Sequence, residues 1–431
     1  MKPDAGIVGA NGTETVRWVT LMLIWTVFVI HGIDRSVVLI LLEPVRQEFG
    51  LNDTQIGLLS GLAYAVPFAL FGIPVGALAD RLRRTRLLAV LLGLWSLFTV
   101  LGGLAPTFPL LLLARAGVGA SEAGAPPTML SLIGDTFDAR SRPAALSIYF
   151  TAPSIGLIAG SAIAGQLSQA HGWRTALLVV GAPGLLLSII IACVMREPQR
   201  GRSDNGAATT EAPISIAATL RFIVRDKDVR RLISAIVLTA FVQLAVASWI
   251  PVFLQRIHGI GSARTGIMTA IAIGLTGIFG SVAGGTIAAR FGNGDPATLK
   301  RLCGGAILLS VPLAIVAPLL GSPYHALICF GAWSFVGSAY MGPAWGIMIA
   351  AIPPHMRSTV MAVAVVTLNL IGAGFGPQSI GVLSDILHRL NDSAHLQHAM
   401  AVAPLIGILS AALFFRRSRS AIGATPVSQP A

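Results

Sequence analysis

Residues 28–41 read FVIHGIDRSVVLIL, which sets His31, Asp34 and Arg35 inside a run otherwise suited to hydrocarbon. At spacings of three and four, the three side chains share one helix face and form a titratable cluster. A second stretch, ARAGVGASEAG at residues 114–124, adds Arg115 and Glu122, two turns apart on one face. A charge at the centre of a membrane helix costs about 2.5–3.5 kcal/mol, so ionisable groups there face a cavity, pair with one another or carry function. Asp34 and Glu122 against Arg35 and Arg115 make a formally neutral set. One proton added to either acid leaves net positive charge in a low dielectric, which attracts an anionic headgroup or shifts the balance between two conformations. The chemistry is then proton transfer coupled to binding through shared arginines. The alternative is a permanently ionised network that only holds helices together, and the residues alone leave both open.

The elements that must position these groups are membrane helices. Of the 431 residues, 54% are hydrophobic and 11% charged, with mean hydropathy +0.78. That is too apolar for a surface that meets water. Runs of about 20 apolar residues, enough to cross a bilayer, recur along the whole chain. We read twelve spans, roughly 18–42, 54–79, 87–105, 108–134, 143–168, 174–195, 230–254, 264–289, 299–320, 323–350, 359–386 and 395–415. Asp34 then lies about 12 Å below the outer end of helix one and Arg115 about 10 Å below Phe108, so the two can meet if helices one and four adjoin.

The start of the chain lacks the pattern of a cleaved signal peptide, so the first run is expected to remain as a helix. The great majority of the 30 Lys and Arg fall in the loops and tails of one side, against Arg46, Arg174, Arg256, Arg264 and Arg389 on the other. This asymmetry fixes orientation, with both termini cytoplasmic in a plasma (inner) membrane. It also accounts for the net charge of +12 without a nucleic-acid partner. Cys193, Cys303 and Cys329 lack metal-ligand spacing and read as small core residues, so neither disulfide nor metal is expected.

The polar stretch QRGRSDNGAATTEAP at 199–213 separates six spans from six, with a short surface helix expected near ISIAATLRFIVRD at 214–226. The resulting division is a tail 1–17, a bundle 18–195, a cytoplasmic linker 196–228, a bundle 229–415 and a tail 416–431. The halves echo each other. GALADR (76–81) closes the second span and GTIAAR (285–290) the eighth, while RSRPAALSI (140–148) and MRSTVMAVA (356–364) open the fifth and eleventh. Parallel six-span repeats joined by a linker are the arrangement of rocker-switch transporters.

GALADRLRRTR (76–86) resembles the loop motif G-x-x-x-D-R-x-G-R-R of the major facilitator superfamily. It keeps Gly76, Asp80, Arg81 and Arg84 and puts Arg83 where Gly is usual. Arg115 and Gly119 match the family's fourth-helix pattern R-x-x-x-G. The D-R pair in IDRSVVLILLEPVRQEFGLNDTQIGLLSGLAYAV (33–66), with Glu122 in GVGASEA (117–123), resembles the Spinster-like branch. The resemblance implies an all-α fold of twelve transmembrane helices in two pseudo-symmetric six-helix bundles, working as a monomer by alternating access. It further implies that Asp34 and Glu122 take part in proton-coupled switching, with His31 beside them, and that the Asp80 loop is a latch between the halves that stabilises an outward-open state. The cargo it implies is lysolipid- or sphingolipid-like.

The second half is poor in mid-span charge, and Gln243, Trp249, Tyr340, Trp345 and Asn369 are its candidates for lining a cavity. Arg35 and Arg115 on one wall and apolar groups on the other suit an amphipathic substrate with an anionic head, or an organic anion. Gly156 and Gly160 offer helix five a close-packing face. NLIGAGFGP at 369–377 is expected to bend helix eleven near a gate. No G-x-x-x-x-G-K-[ST] run supports a nucleotide-driven pump, and no nucleophile accompanies His31 and Asp34 to support an enzyme, so no cofactor is expected. A passive facilitator and a multidrug-type exporter of hydrophobic compounds stay open beside proton-coupled transport.

Overall fold

The structure, a computed structural model, describes residues 7–138, 140–199, 216–292, 295–353 and 356–416. The regular elements there are helical. The first half holds α1 (Ile7–Phe49), α2 (Asp53–Ser60), α3 (Leu62–Arg81), α4 (Arg84–Gly103), α5 (Phe108–Glu122), α6 (Ala125–Thr136), α7 (Arg142–Tyr149) and α8 (Ala152–Val194). A short surface element, α9 (Ile216–Arg225), falls where one is expected. The second half holds α10 (Lys227–Arg256), α11 (Ser262–Thr269), α12 (Thr276–Phe291), α13 (Pro296–Val316), α14 (Pro323–Ser338), α15 (Met341–Ala351), α16 (Arg357–Thr367), α17 (Gly376–Arg389), α18 (His395–Val402) and α19 (Ile406–Phe415). Most of the proposed linker, residues 200–215, lies outside the described residues.

Among the described residues, nine stretches are long and apolar enough to cross a membrane. The longest, Arg142–Val194, has 53 residues, and Gly172 (φ 83°, ψ 161°) turns it back on itself. Its first arm packs Gly156 and Gly160 on Gly32, Ile33 and Ser36 of α1; its second packs Gly181 and Gly184 on Ser96 of α4. A positive φ is open to glycine and strained for other residues, so one residue serves as the whole connection. Large apolar side chains such as Leu70, Leu113, Leu186 and Ile328 stay exposed, as a lipid-facing surface requires. Cys193 is also exposed, which corrects its reading as a core residue.

The internal repeat survives in atomic detail. Arg142 Nε donates to Phe137 O at 3.4 Å and Arg357 Nε to Ile352 O at 3.1 Å, each capping the carbonyl that ends the preceding helix. The eleventh span loosens to π-turns over Leu368–Phe375, between α16 and α17 and within the Gly-rich run, and the eighth span does so over Ala270–Leu275, between α11 and α12. Turns of this kind free backbone carbonyls and recur at functional sites.

The two halves meet at one end and part at the other. One apolar cluster, with Leu21, Leu88, Trp95 and Ile191, belongs to the first half; another, with Val229, Ile307 and Phe414, to the second. A third draws on both, joining Val37, Leu41 and Ile56 to Val246, Phe253 and Ile380. Polar links gather at this sealed end. Arg256 donates to Glu43 Oε2 at 3.0 Å and to Asp53 Oδ1 at 2.7 Å. Asp385 accepts from Thr54 N at 2.8 Å and Asp53 N at 3.1 Å, and Ser384 Oγ donates to Asp53 Oδ2 at 2.6 Å. Glu43 also explains why α1 runs to Phe49, beyond the expected limit of 42: its carboxylate, 2% exposed, is held by Arg46 and Arg256 and interrupts nothing.

Glycines distinguish the two ends. A Cβ on Gly57 would meet Gln378 Cα at 2.9 Å, and one on Gly61 would meet Ala373 O at 3.1 Å and Gly374 O closer still. One on Gly72, Gly76 or Gly285, towards the opposite, arginine-rich end, would meet nothing within 4 Å. Overpacking costs about 1–3 kcal/mol, so Gly61→Ala should raise the maleimide labelling rate of a cysteine at buried Ile380 by about tenfold, and Gly76→Ala should not.

Candidate functional site

The charged residues of the first half converge near mid-helix. Tyr64 Oη donates to Glu122 Oε2 at 2.6 Å. His31 Nδ1 lies 3.2 Å from the same oxygen, at an angle that makes no hydrogen bond. His31 stacks on Phe28, which stacks on Tyr149. Asp34 accepts from Thr99 Oγ1 at 3.1 Å through Oδ1, while its Oδ2 has no partner. The guanidinium groups of Arg35 and Arg115 each lie 4.9 Å from the centre of the Tyr64 ring. Desolvated contacts of this type are worth about 2 kcal/mol. Tyr64 thus joins the set twice, by its ring to both bases and by its hydroxyl to one acid.

His31, Asp34, Arg115 and Glu122 are buried, and Glu122 is 0% exposed. Arg35 is half-buried and reaches out of the first half, where Nη2 makes a long hydrogen bond of 3.5 Å to Asn369 Oδ1. Asn369 sits in the π-turns between α16 and α17 and donates to Val365 O at 3.0 Å. Arg115 and Asp34 do not meet as an ion pair within 4.0 Å; they line one cavity of about 30 Å³ instead.

The remaining candidates scatter. Trp249 is fully buried and donates to Pro377 O at 2.9 Å in the sealed end. Tyr340, 4% exposed, packs in the second half's own core, where Cys303 Sγ touches its carbonyl. In this conformation bulk and aromaticity serve packing at both positions. Gln243 and Trp345 are half-buried, with Gln243 against Gly337 and Trp345 beside the same core.

In the loop motif, Gly76 faces open space and Arg81 is exposed, while the side chain of Asp80 lies outside the described residues. Arg84 of the same motif is 3% exposed and engaged within the first half. It donates to Glu197 Oε1 at 2.9 Å, Ser131 Oγ at 2.8 Å and Pro198 O at 3.1 Å, and it pairs with Asp135. Glu197 also accepts from Thr85 N at 2.9 Å, capping the first turn of α4. Partial burial raises the Glu197 pKa, but the Thr85 and Arg84 hydrogen bonds outweigh this and hold the carboxyl below its ordinary 4.5.

Sequence reasoning missed Tyr64, Thr99 and the sealed-end trio Glu43, Asp53 and Arg256. Tyr64 carried one signal: it is a polar-tipped aromatic in LAYAV, a run with no other polar atom to satisfy it.

The Major Facilitator Superfamily model matches residues 24–377. The chain is 28% identical over 417 residues to protein spinster homolog 1 of Homo sapiens, covering 89% of this chain and 77% of that protein. It is 26% identical over 373 residues to an MFS-type efflux pump of Mycolicibacterium smegmatis, covering 86% and 85%. A crystal structure of a bacterial homolog to the human lysosomal transporter Spinster, inward-facing and unoccupied, superposes with a TM-score of 0.82 at 27% identity, covering 93% of this chain and 96% of that one. With two helical halves sharing a core at one end and a charged set within the first half, the chain belongs to the Major Facilitator Superfamily, as a transporter of its Spinster-like branch.

Proposed function

We propose that this transporter is proton-coupled and moves an amphipathic small molecule with an anionic head, lysolipid- or sphingolipid-like or an organic anion, by rocker-switch alternation of two six-helix bundles, twelve spans in all. One observation carries the reading: the buried acid–base set of the first half reaches the second half through Arg35 and Asn369. Protonating Glu122 alters the carboxylate that holds the Tyr64 hydroxyl, and Tyr64 carries both arginines on its ring. A proton gained there changes how strongly Arg35 holds Asn369, so occupancy of the acids biases the tilt of the halves. An anionic headgroup competes for the same guanidinium groups, which couples cargo to proton.

The arginine-rich end, where the halves part, is the cytoplasmic one by charge asymmetry. Both termini are then cytoplasmic in the inner membrane, and this conformation opens inward. The likeness to the inward-facing Spinster homolog supports that assignment. The protein acts as a monomer. The relative described as an efflux pump favours a second reading, export of hydrophobic compounds.

Reconstituted Asp34→Asn protein tests the coupling, with a fluorescent lysophosphatidylcholine as probe and an imposed pH gradient as driving force. Gradient-driven accumulation should fall to the level of empty liposomes, while counterflow exchange without a gradient persists. Full accumulation by the variant would end the proton-carrier role of Asp34.

A further inference from the structure

Asp34 Oδ2 and Arg115 Nε are buried polar atoms without partners, on residues 2% and 7% exposed, and both residues line the 30 Å³ cavity. Orphaned polar atoms of this kind usually hold a buried water, and the cavity has room for about two. Its shape gives it a direction. Val38, Leu41 and Val45 line it turn after turn along α1, about 16 Å from Asp34 towards Phe49. Leu111 lies one turn inside the start of α5, and Gly102 is the penultimate residue of α4. All of these lie on the side of Asp34 nearer the sealed end. The cavity therefore runs inside the first bundle from the buried acid towards the face at which the two halves are closed to each other.

We infer that this cavity holds the inner waters of a narrow path by which Asp34 exchanges protons with the sealed face, separately from the cleft that admits substrate, and that the path completes itself past Val45 and Leu111 as those side chains move. A hydronium ion at that face gives up a proton, the relay deposits it on Asp34 Oδ2, and water and a neutral carboxylic acid result. The apolar walls are too narrow for a hydrated ion or a lipid headgroup. The polar and charged groups that act on Asp34 are Thr99 and Trp95 of α4 and Arg115 and Glu122 of α5; of these, Thr99 and Arg115 line the cavity with it. In this conformation the proton and the cargo use opposite faces. The inference rests on Asp34 as the proton carrier, but its test does not pass through transport.

In full-length protein with Cys193, Cys303 and Cys329 replaced by serine, single cysteines are placed at Val38, Val45 or Leu111. Thr107→Cys marks the sealed face and Arg83→Cys the other. Silver ion, about the size of water, is added to one face of membrane vesicles, and surviving thiols are counted with a fluorescent maleimide after denaturation. Silver at the sealed face should consume all three cavity thiols at least about tenfold faster than silver at the other face, whereas fluorescein maleimide added to the native protein leaves them intact. Equal rates, a faster reaction from the arginine-rich face, or no reaction from either would overturn the path. If the thiols react as expected but Asp34→Asn keeps its gradient-driven accumulation, the path stands and the carrier assignment fails.

Discussion

Replacing Arg256 with methionine is expected to open the sealed end. The guanidinium is the only base that joins both Glu43 and Asp53 among the described residues, and those carboxylates are 2% and 4% exposed. Breaking a buried pair costs about 3–5 kcal/mol, because the charge left behind has no solvent. Two features place this case at the lower end: Arg46 still holds Glu43, and Ser384 still donates to Asp53. The cost falls on the conformation that brings the three together, so about 3 kcal/mol moves the equilibrium between the two states by more than a hundredfold. Spin labels at Thr107 and Leu390, one on each half at that end, should shift from one short distance to a dominant longer one. Arg256→Lys keeps the charge but loses the two-pronged contact and should fall between. An unchanged distance distribution in Arg256→Met would mean that the apolar cluster alone keeps this end shut.

The second large effect concerns stability. Arg84→Met removes a guanidinium that ties the start of α4 to Asp135 at the end of α6 and to Glu197 beyond α8. A loss of about 3 kcal/mol follows, again at the low end of the buried-pair range because both acids keep some contact with water. It should appear as a drop of several degrees in the thermal midpoint of the detergent-solubilised protein, partly restored in Arg84→Lys. Acid should mimic it in part. Glu197 has a depressed pKa in the folded protein, so its contribution is complete above its ordinary 4.5 and fades as pH falls through the lower folded value. The wild-type midpoint should therefore decline below about pH 4.5 by more than that of Glu197→Gln, which has no such group to titrate.

How far these features could be read from residue order depends on where a charge stands. Asp34, Arg35, Arg115 and Glu122 interrupt apolar runs, and the cost of that interruption makes them visible. Glu43, Asp53 and Arg256 sit where runs end, among the charges every membrane protein places at its interfaces, and only the meeting of α1, α2 and α10 shows them as one site. Trp249 and Tyr340 were chosen by residue type, and type does not foretell the neighbours that hold each ring: Pro377 O for Trp249 and the second half's own apolar cluster for Tyr340. The repeat was legible as short matched strings, but its purpose was not. Arg142 and Arg357 close the same turn in each half, a backbone contact that no pattern of side chains announces.

The arrangement of three apolar clusters, two private and one shared, bears on how the molecule could be assembled. Each half keeps its own packed interior where the halves part, so a cut within residues 200–215 severs none of the elements among the described residues. Two separately translated pieces should then insert independently, find each other through the cluster around Val37 and Phe253, and co-purify as a functional pair.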